Sequence, residues 1–170
     1  DDVRIGGNSM YFLQGMGMRI VDTDTWEARS ATLKEHAETM IVADYLPYCH
    51  IADAYEFYMD LEGVPPVMQF LEGLVSGIRN STMAEHFGYQ KDSEIFGIKM
   101  AQELGMTLDA EIDIAGPLTF YSEAVEAIIR FAEVDMGVWS CAASHAGTEA
   151  PVTLAGGLVS QHAESAAFIV

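Results

Sequence analysis

Basic residues are scarce in this chain: eight Lys and Arg stand against 26 Asp and Glu, which leaves a formal charge of −18. Phosphate backbones and anionic membrane surfaces are repelled by such a field, so nucleic acid is not expected as a partner. An acidic balance is most often plain solubility, although a cationic ligand suits it. Cysteine is nearly lacking as well. Cys49 and Cys141 lie far apart, each in an apolar stretch, with no C-x-x-C, and they read as buried thiols in a reducing compartment. There is no run of about 18 uncharged apolar residues, and Asp1-Asp2-Val3-Arg4 offers neither a basic n-region nor an apolar h-region. The expectation is a cytoplasmic protein with no membrane contact. G-x-G-x-x-G, P-loop and G-x-S-x-G patterns are all missing, which leaves nucleotide binding and serine hydrolysis without support.

What is present is a repeat. Short segments rich in β-formers and small residues begin near Cys49, Ser81, Asp109 and Val138, each followed by helical periodicity. They recur roughly every 30 residues, the length that a strand, a helix and two short loops require. Such alternation calls for a parallel sheet covered by helices. The helices carry their own punctuation. Thr32 to Glu35 reads as a capping box, followed by an apolar stripe of Leu33, Ala37, Met40 and Ile41, with a stop at Leu46-Pro47. Pro66 suits a first helical turn, with Val67, Leu71, Leu74, Val75 and Ile78 as the buried face and Asn80 as the end. A third helix is expected from Ser93 to Leu104 with Gly105 as its stop. A fourth runs from Ser122 through Val125, Ile128, Ile129 and Ala132 towards Gly137, and Pro151 opens a fifth.

The fold class expected is α/β: a partial TIM-type (β/α)8 barrel of about four consecutive βα units over residues 31–170, with a β-rich N-terminal extension over residues 1–30. The extension, with Gly6-Gly7, Gly15 and Gly17, reads as hairpin-like up to Trp26. Four units make half of such a barrel, and the chain closes on Ala166-Ala167-Phe168-Ile169-Val170 without a cap. It therefore reads as a fragment of a larger barrel.

Ligands of parallel β/α barrels bind at the carboxyl ends of the strands. The expected strand ends bring Asp53, then Glu85 and His86, then Asp113, then His145 and Glu149, and these six are the candidate substrate-binding residues. Asp109, Glu111 and Asp113 alternate with apolar neighbours and so share one face of a strand. The bland reading is that Asp109 lies at the bottom, Glu111 pairs with a base and only Asp113 faces the mouth. The sharper reading is a mouth that stabilises a cation. Aromatic faces could surround an alkylated ammonium, and Tyr11, Phe12, Tyr55, Phe57, Phe87, Phe120 and Tyr121 stand in loops or strand ends, although each is more often packing. Cys141 with His145 is a weak pair of zinc ligands, so no metal is expected.

The stretch from Gly147 to Leu158, G-T-E-A-P-V-T-L-A-G-G-L, followed by Gln161-His162-Ala163-Glu164, resembles the signature of the trimethylamine methyltransferase family. Val21 to Arg29, Ala31-Thr32-Leu33 and Ala43 to Pro47 are similar to that family's approach to its first barrel strand, and Ala115 to Phe120 to its S-P-L-x-F turn. The resemblance implies a β/α-barrel enzyme that moves a methyl group from a methylated amine or betaine to the cobalt of a separate corrinoid protein. Cobalamin would arrive on that partner, as the lack of a D-x-H-x-x-G motif here agrees. No cofactor would be bound directly, and catalysis would rest mainly on positioning. No catalytic residue is assigned, and the state of oligomerisation is left open. Family members usually have Ala-Thr where this chain has Thr148-Glu149, which adds a carboxylate at the mouth. The pyrrolysine of the trimethylamine enzymes, or its replacement in betaine-type relatives, would lie beyond Val170. Two other readings compete. One is a barrel enzyme for a small carbonyl or acid substrate using Glu85, His86 or His145 as acid or base; the other is a non-catalytic module that binds quaternary amines.

Overall fold

The computed structural model describes residues 19–46, 51–54, 59–88, 91–142 and 144–169, with the backbone alone at residues 51–54, 59, 84–88 and 169. The chain divides into two compact units at Leu108 and Asp109. Cys49, His50, Tyr11, Phe12, Tyr55, Phe57 and the early glycines lie outside the described residues.

The first unit opens with an antiparallel hairpin of β1 (Arg19–Val21) and β2 (Ala28–Ser30). Its turn is built on Asp22, whose carboxylate accepts from the backbone N–H groups of Asp24 and Thr25 at 3.0 and 2.9 Å. These bonds hold the Asp22 carboxyl below its ordinary range. The hairpin thus closes at Ser30 on an aspartate-built turn, while the glycines of the hairpin-like element expected up to Trp26 lie outside the described residues. Ala31 and Leu61 are buried beneath it, with Ile20, Leu33 and Val64 packed around them.

Helix α1 (Leu33–Asp44) starts at the expected capping box: Thr32 accepts from Glu35 N–H, and the Glu35 carboxylate accepts from Thr32 N–H at 3.1 Å. Its buried face is His36, Met40 and Ala43, whereas Ile41 is exposed, so the true face is rotated from the expected stripe. It ends at Asp44, before Leu46. A 3₁₀ turn at Met59–Leu61 lends the Asp60 carboxylate to Leu33 N–H at 2.8 Å. Helix α2 (Pro66–Asn80) begins with the predicted proline and buries Phe70, Leu71, Leu74 and the small residues Gly73, Ser76 and Gly77. It packs on α1, where buried His36 Nδ1 lies 3.1 Å from Ser76 Oγ. Strands β3 (Ile51–Ala54) and β4 (Ala84–Gly88) pair in parallel, as the βα alternation requires. Helix α3 (Ser93–Leu104) ends as expected at Gly105, whose φ of 65° is the left-handed stop that glycine adopts at least cost.

In the second unit, β5 (Leu108–Ile114) and β6 (Val138–Ala142) also pair in parallel. The β5 alternation is clean: Leu108, Ala110, Ile112 and Ile114 are buried, while Asp109, Glu111 and Asp113 occupy the other, more open face. Helix α4 (Ser122–Glu133) buries Ala124, Ala127 and Phe131, and leaves Val125 and Ile129 exposed. Again the face differs from the expected one, because small alanines make the contact. Helix α5 (Leu154–Ile169) starts three residues after Pro151 and is capped by Thr153 Oγ1, which accepts from Gly156 N–H at 3.2 Å. Gly156 is required there: a Cβ would stand 2.6 Å from that of Pro151. The approach to α5 leaves Val152 exposed, and its first turns leave Leu154, Leu158 and Val159 exposed.

Candidate functional site

The chemistry-bearing side chains of the second unit gather at the carboxyl ends of β5 and β6. Asp113 faces Cys141 directly in the strand register. Together with Glu111 they form a group whose ligand atoms all lie within 4.8 Å of one another. Burial raises the Asp113 carboxyl above its ordinary value, the neighbouring Glu111 charge adds to that, and the bond from Cys141 opposes it. The same surroundings push the Cys141 thiol up to about 11, through burial first and then the two carboxylates. Cys141 is thus half-buried against anions, in contrast to the apolar burial expected, and its grouping is with Glu111 and Asp113. Asp109, at the start of the strand, accepts from Trp139 Nε1 at 3.4 Å and packs over Gly137. The three carboxylates of the strand therefore differ in environment, with openness greatest at Asp113.

Two five-residue turns follow the strands. The first runs from Ala115 to Thr119, which pair as a bridge, with Thr119 N–H donating to Ala115 O at 2.9 Å. The second runs from Ala146 to Ala150, with Gly147 N–H donating to Ala150 O at 2.8 Å. Gly147 has a φ of 88°, which demands glycine. Leu118, in the first turn, also has a positive φ, of 51°, a strained conformation for a residue with a side chain.

His145 and Glu149 are brought together by the second turn. Glu149 Oε2 accepts from His145 N–H at 2.9 Å and from Thr148 Oγ1 at 2.8 Å, and lies 3.3 Å from His145 Nδ1. These bonds, the backbone one foremost, hold its carboxyl below the usual range. Glu149 therefore braces its own turn and leaves the capping of α5 to Thr153. The two turns touch: a Cβ on Gly116 would stand 2.7 Å from that of Glu149 and 3.0 Å from Ser144 Oγ. Beside them a cavity of about 310 Å³ is lined by Ser144, Ala146, Ala150, Val152 and Leu154 among others.

Sequence reasoning missed Glu164. This residue of α5 is fully buried, and its two oxygens accept from Leu118 N–H at 3.2 Å and from Ser144 Oγ at 2.9 Å. One turn of helix further on, Phe168 stacks on Phe120 with ring centroids 6.4 Å apart. In the first unit Asp53 is the register partner of His86, and Ala52 that of Glu85. Tyr121 is exposed.

Strands that alternate with helices and pair in parallel, with ionisable residues at their carboxyl ends, define an α/β protein. The family model described as Trimethylamine methyltransferase (MTTB) matches residues 1–170, so the chain belongs to the trimethylamine methyltransferase family, a family of methyltransferases. No curated protein matches the chain. No helix among the described residues is long and apolar enough to cross a membrane.

Proposed function

We propose that the protein takes a methyl group from a methylated amine or betaine and delivers it to a corrinoid held by a partner protein. Family membership supports methyl transfer, and the observation that carries the substrate class is the pairing of Glu111 and Asp113 at the end of β5. Two carboxylates held this close repel each other, and a cation between or beside them relieves that repulsion. A quaternary ammonium group has no N–H to donate, so charge and shape are what a protein can offer it. An anionic substrate would be opposed by the same face. The cavity beside Ser144 and Ala150, with its apolar lining, is of a size for a small methylated ligand.

The corrinoid supplies the nucleophile that accepts the methyl group, and no residue of this chain is assigned to holding it. What the chain contributes is placement: carboxylates that fix the charged nitrogen, apolar walls that keep water from the methyl group, and turns that hold both in line with the acceptor. The test is methyl transfer to a corrinoid carrier by the full-length protein, with trimethylamine and glycine betaine offered separately and corrinoid absorbance followed. Transfer from at least one of them is expected. Substrate affinity should fall as pH drops and Asp113 becomes protonated. Absence of transfer from both, or affinity indifferent to Asp113→Asn, would overturn the reading.

A further inference from the structure

We propose that Glu164 is the positioning residue of this mouth, a buried carboxylate on α5 that locks the turn after β5 to the turn after β6. The inference rests on the function proposed above and concerns a residue that touches no substrate. Glu164 is 1% exposed, and each of its oxygens is committed to a different turn: one accepts from Leu118 N–H, the other from Ser144 Oγ. Burying a carboxylate is costly unless it is hydrogen-bonded, and a helix of otherwise uncharged and mostly small residues gains nothing by carrying it for solubility.

The partners explain the placement. Leu118 sits at a positive φ, which is costly for a residue with a side chain, and its N–H there is held by a carboxylate oxygen from α5. Ser144 is the residue against which Gly116 closes, and Gly116 in turn meets Glu149. A single carboxylate thus sets the distance between the Gly116–Leu118 corner and the His145–Glu149 turn. The Phe120–Phe168 stack fastens the same helix to the first turn at a second point, so Glu164 acts on a segment that already has one anchor. Freed from Glu164, Leu118 can relax to negative φ, and the turn bearing Glu149 loses its reference.

The experiment compares Glu164→Gln, Glu164→Ala and Ser144→Ala in the full-length protein, with Phe131→Leu as a core variant that lowers stability without touching the mouth. Gln can accept from Leu118 N–H through its carbonyl and donate to Ser144 Oγ through its amide, so it should rescue, with KM for the methylated amine within about threefold of the wild type. Glu164→Ala should raise KM roughly tenfold or more, and Ser144→Ala by a smaller factor in the same direction, while Phe131→Leu lowers Tm at unchanged KM. If Glu164→Ala and Ser144→Ala fold and leave KM unchanged, or if Glu164→Gln is as poor as Glu164→Ala, the positioning role is overturned. Exchange of the Leu118 amide hydrogen is read in parallel. Protection in the wild type and in Glu164→Gln, lost in Glu164→Ala, would uphold the lock even if no amine is demethylated, so failure of the function is distinguishable from failure of the inference.

Discussion

A carboxyl group that is partly desolvated beside another carboxylate opposes folding whenever it is ionised, and Asp113 is such a group. Its folded-state value lies above the ordinary 3.8, so the wild type gives up stability as pH rises through that raised value and is unpenalised below the ordinary one. Asp113→Asn should therefore raise Tm at pH 7, and the gain should disappear in unfolding scans taken below pH 3.8. A gain that persists in acid would mean that the repulsion between Glu111 and Asp113 is not its source. This stored opposition is also what a bound cation would release. Glu149 behaves in the reverse sense, since the N–H of His145 and the hydroxyl of Thr148 favour its ionised form. The two acids thus differ in kind, Asp113 destabilised when ionised and Glu149 satisfied within its turn.

Helix α1 shows what a short sequence pattern encodes on its own. Thr32→Ala removes the acceptor for Glu35 N–H and should cost about 1 kcal/mol in chemical denaturation. Glu35, bonded by Arg29 and Thr32, has its carboxyl lowered to about 2. Its contribution is complete above its ordinary 4.5 and fades as pH falls from there to about 2, so the stability difference between the wild type and Glu35→Gln should close across that window. Element starts and stops were legible because they depend on neighbours in sequence: the Thr32 box, Pro66, Gly105. Helix faces were less so. Ile41, Val125 and Ile129 look like core and are exposed, while His36, Ala43, Ala124 and Ala127 lie inside. Apolar periodicity weights large side chains, whereas a helix seated close on another element needs small ones at the contact, and Ala, Gly and Ser carry little signal. The cluster of Asp113 with Glu111 was readable from alternation along one strand. Its partner Cys141, and the reach of Glu164 to Leu118 and Ser144, were not, since both depend on tertiary register. The hints available were that Glu164 is the sole acid in the 16 residues of α5 and that it stands in the stretch resembling the family signature.

At the scale of the whole chain, a formal charge of −18 means that the folded state works against its own repulsion. Adding sodium chloride from 0.01 to 0.15 M shortens the screening length from about 30 to about 8 Å, and Tm at pH 7 should rise over that range. A flat or falling Tm would show that the ion pairs, such as Arg29 with Glu35, outweigh the repulsion. The same screening bears on how copies of the protein meet. Val152, just before α5, and Leu154, Leu158 and Val159 in its first turns stand in solvent. At low ionic strength the anionic surfaces keep such patches apart. As salt approaches 1 M the screening length shrinks to about 3 Å, and contact between apolar patches is no longer held off by charge. Colloidal behaviour should therefore invert with salt: well dispersed in dilute buffer, and prone in concentrated ammonium sulfate to precipitate early or to adhere to a hydrophobic chromatography resin through the start of α5.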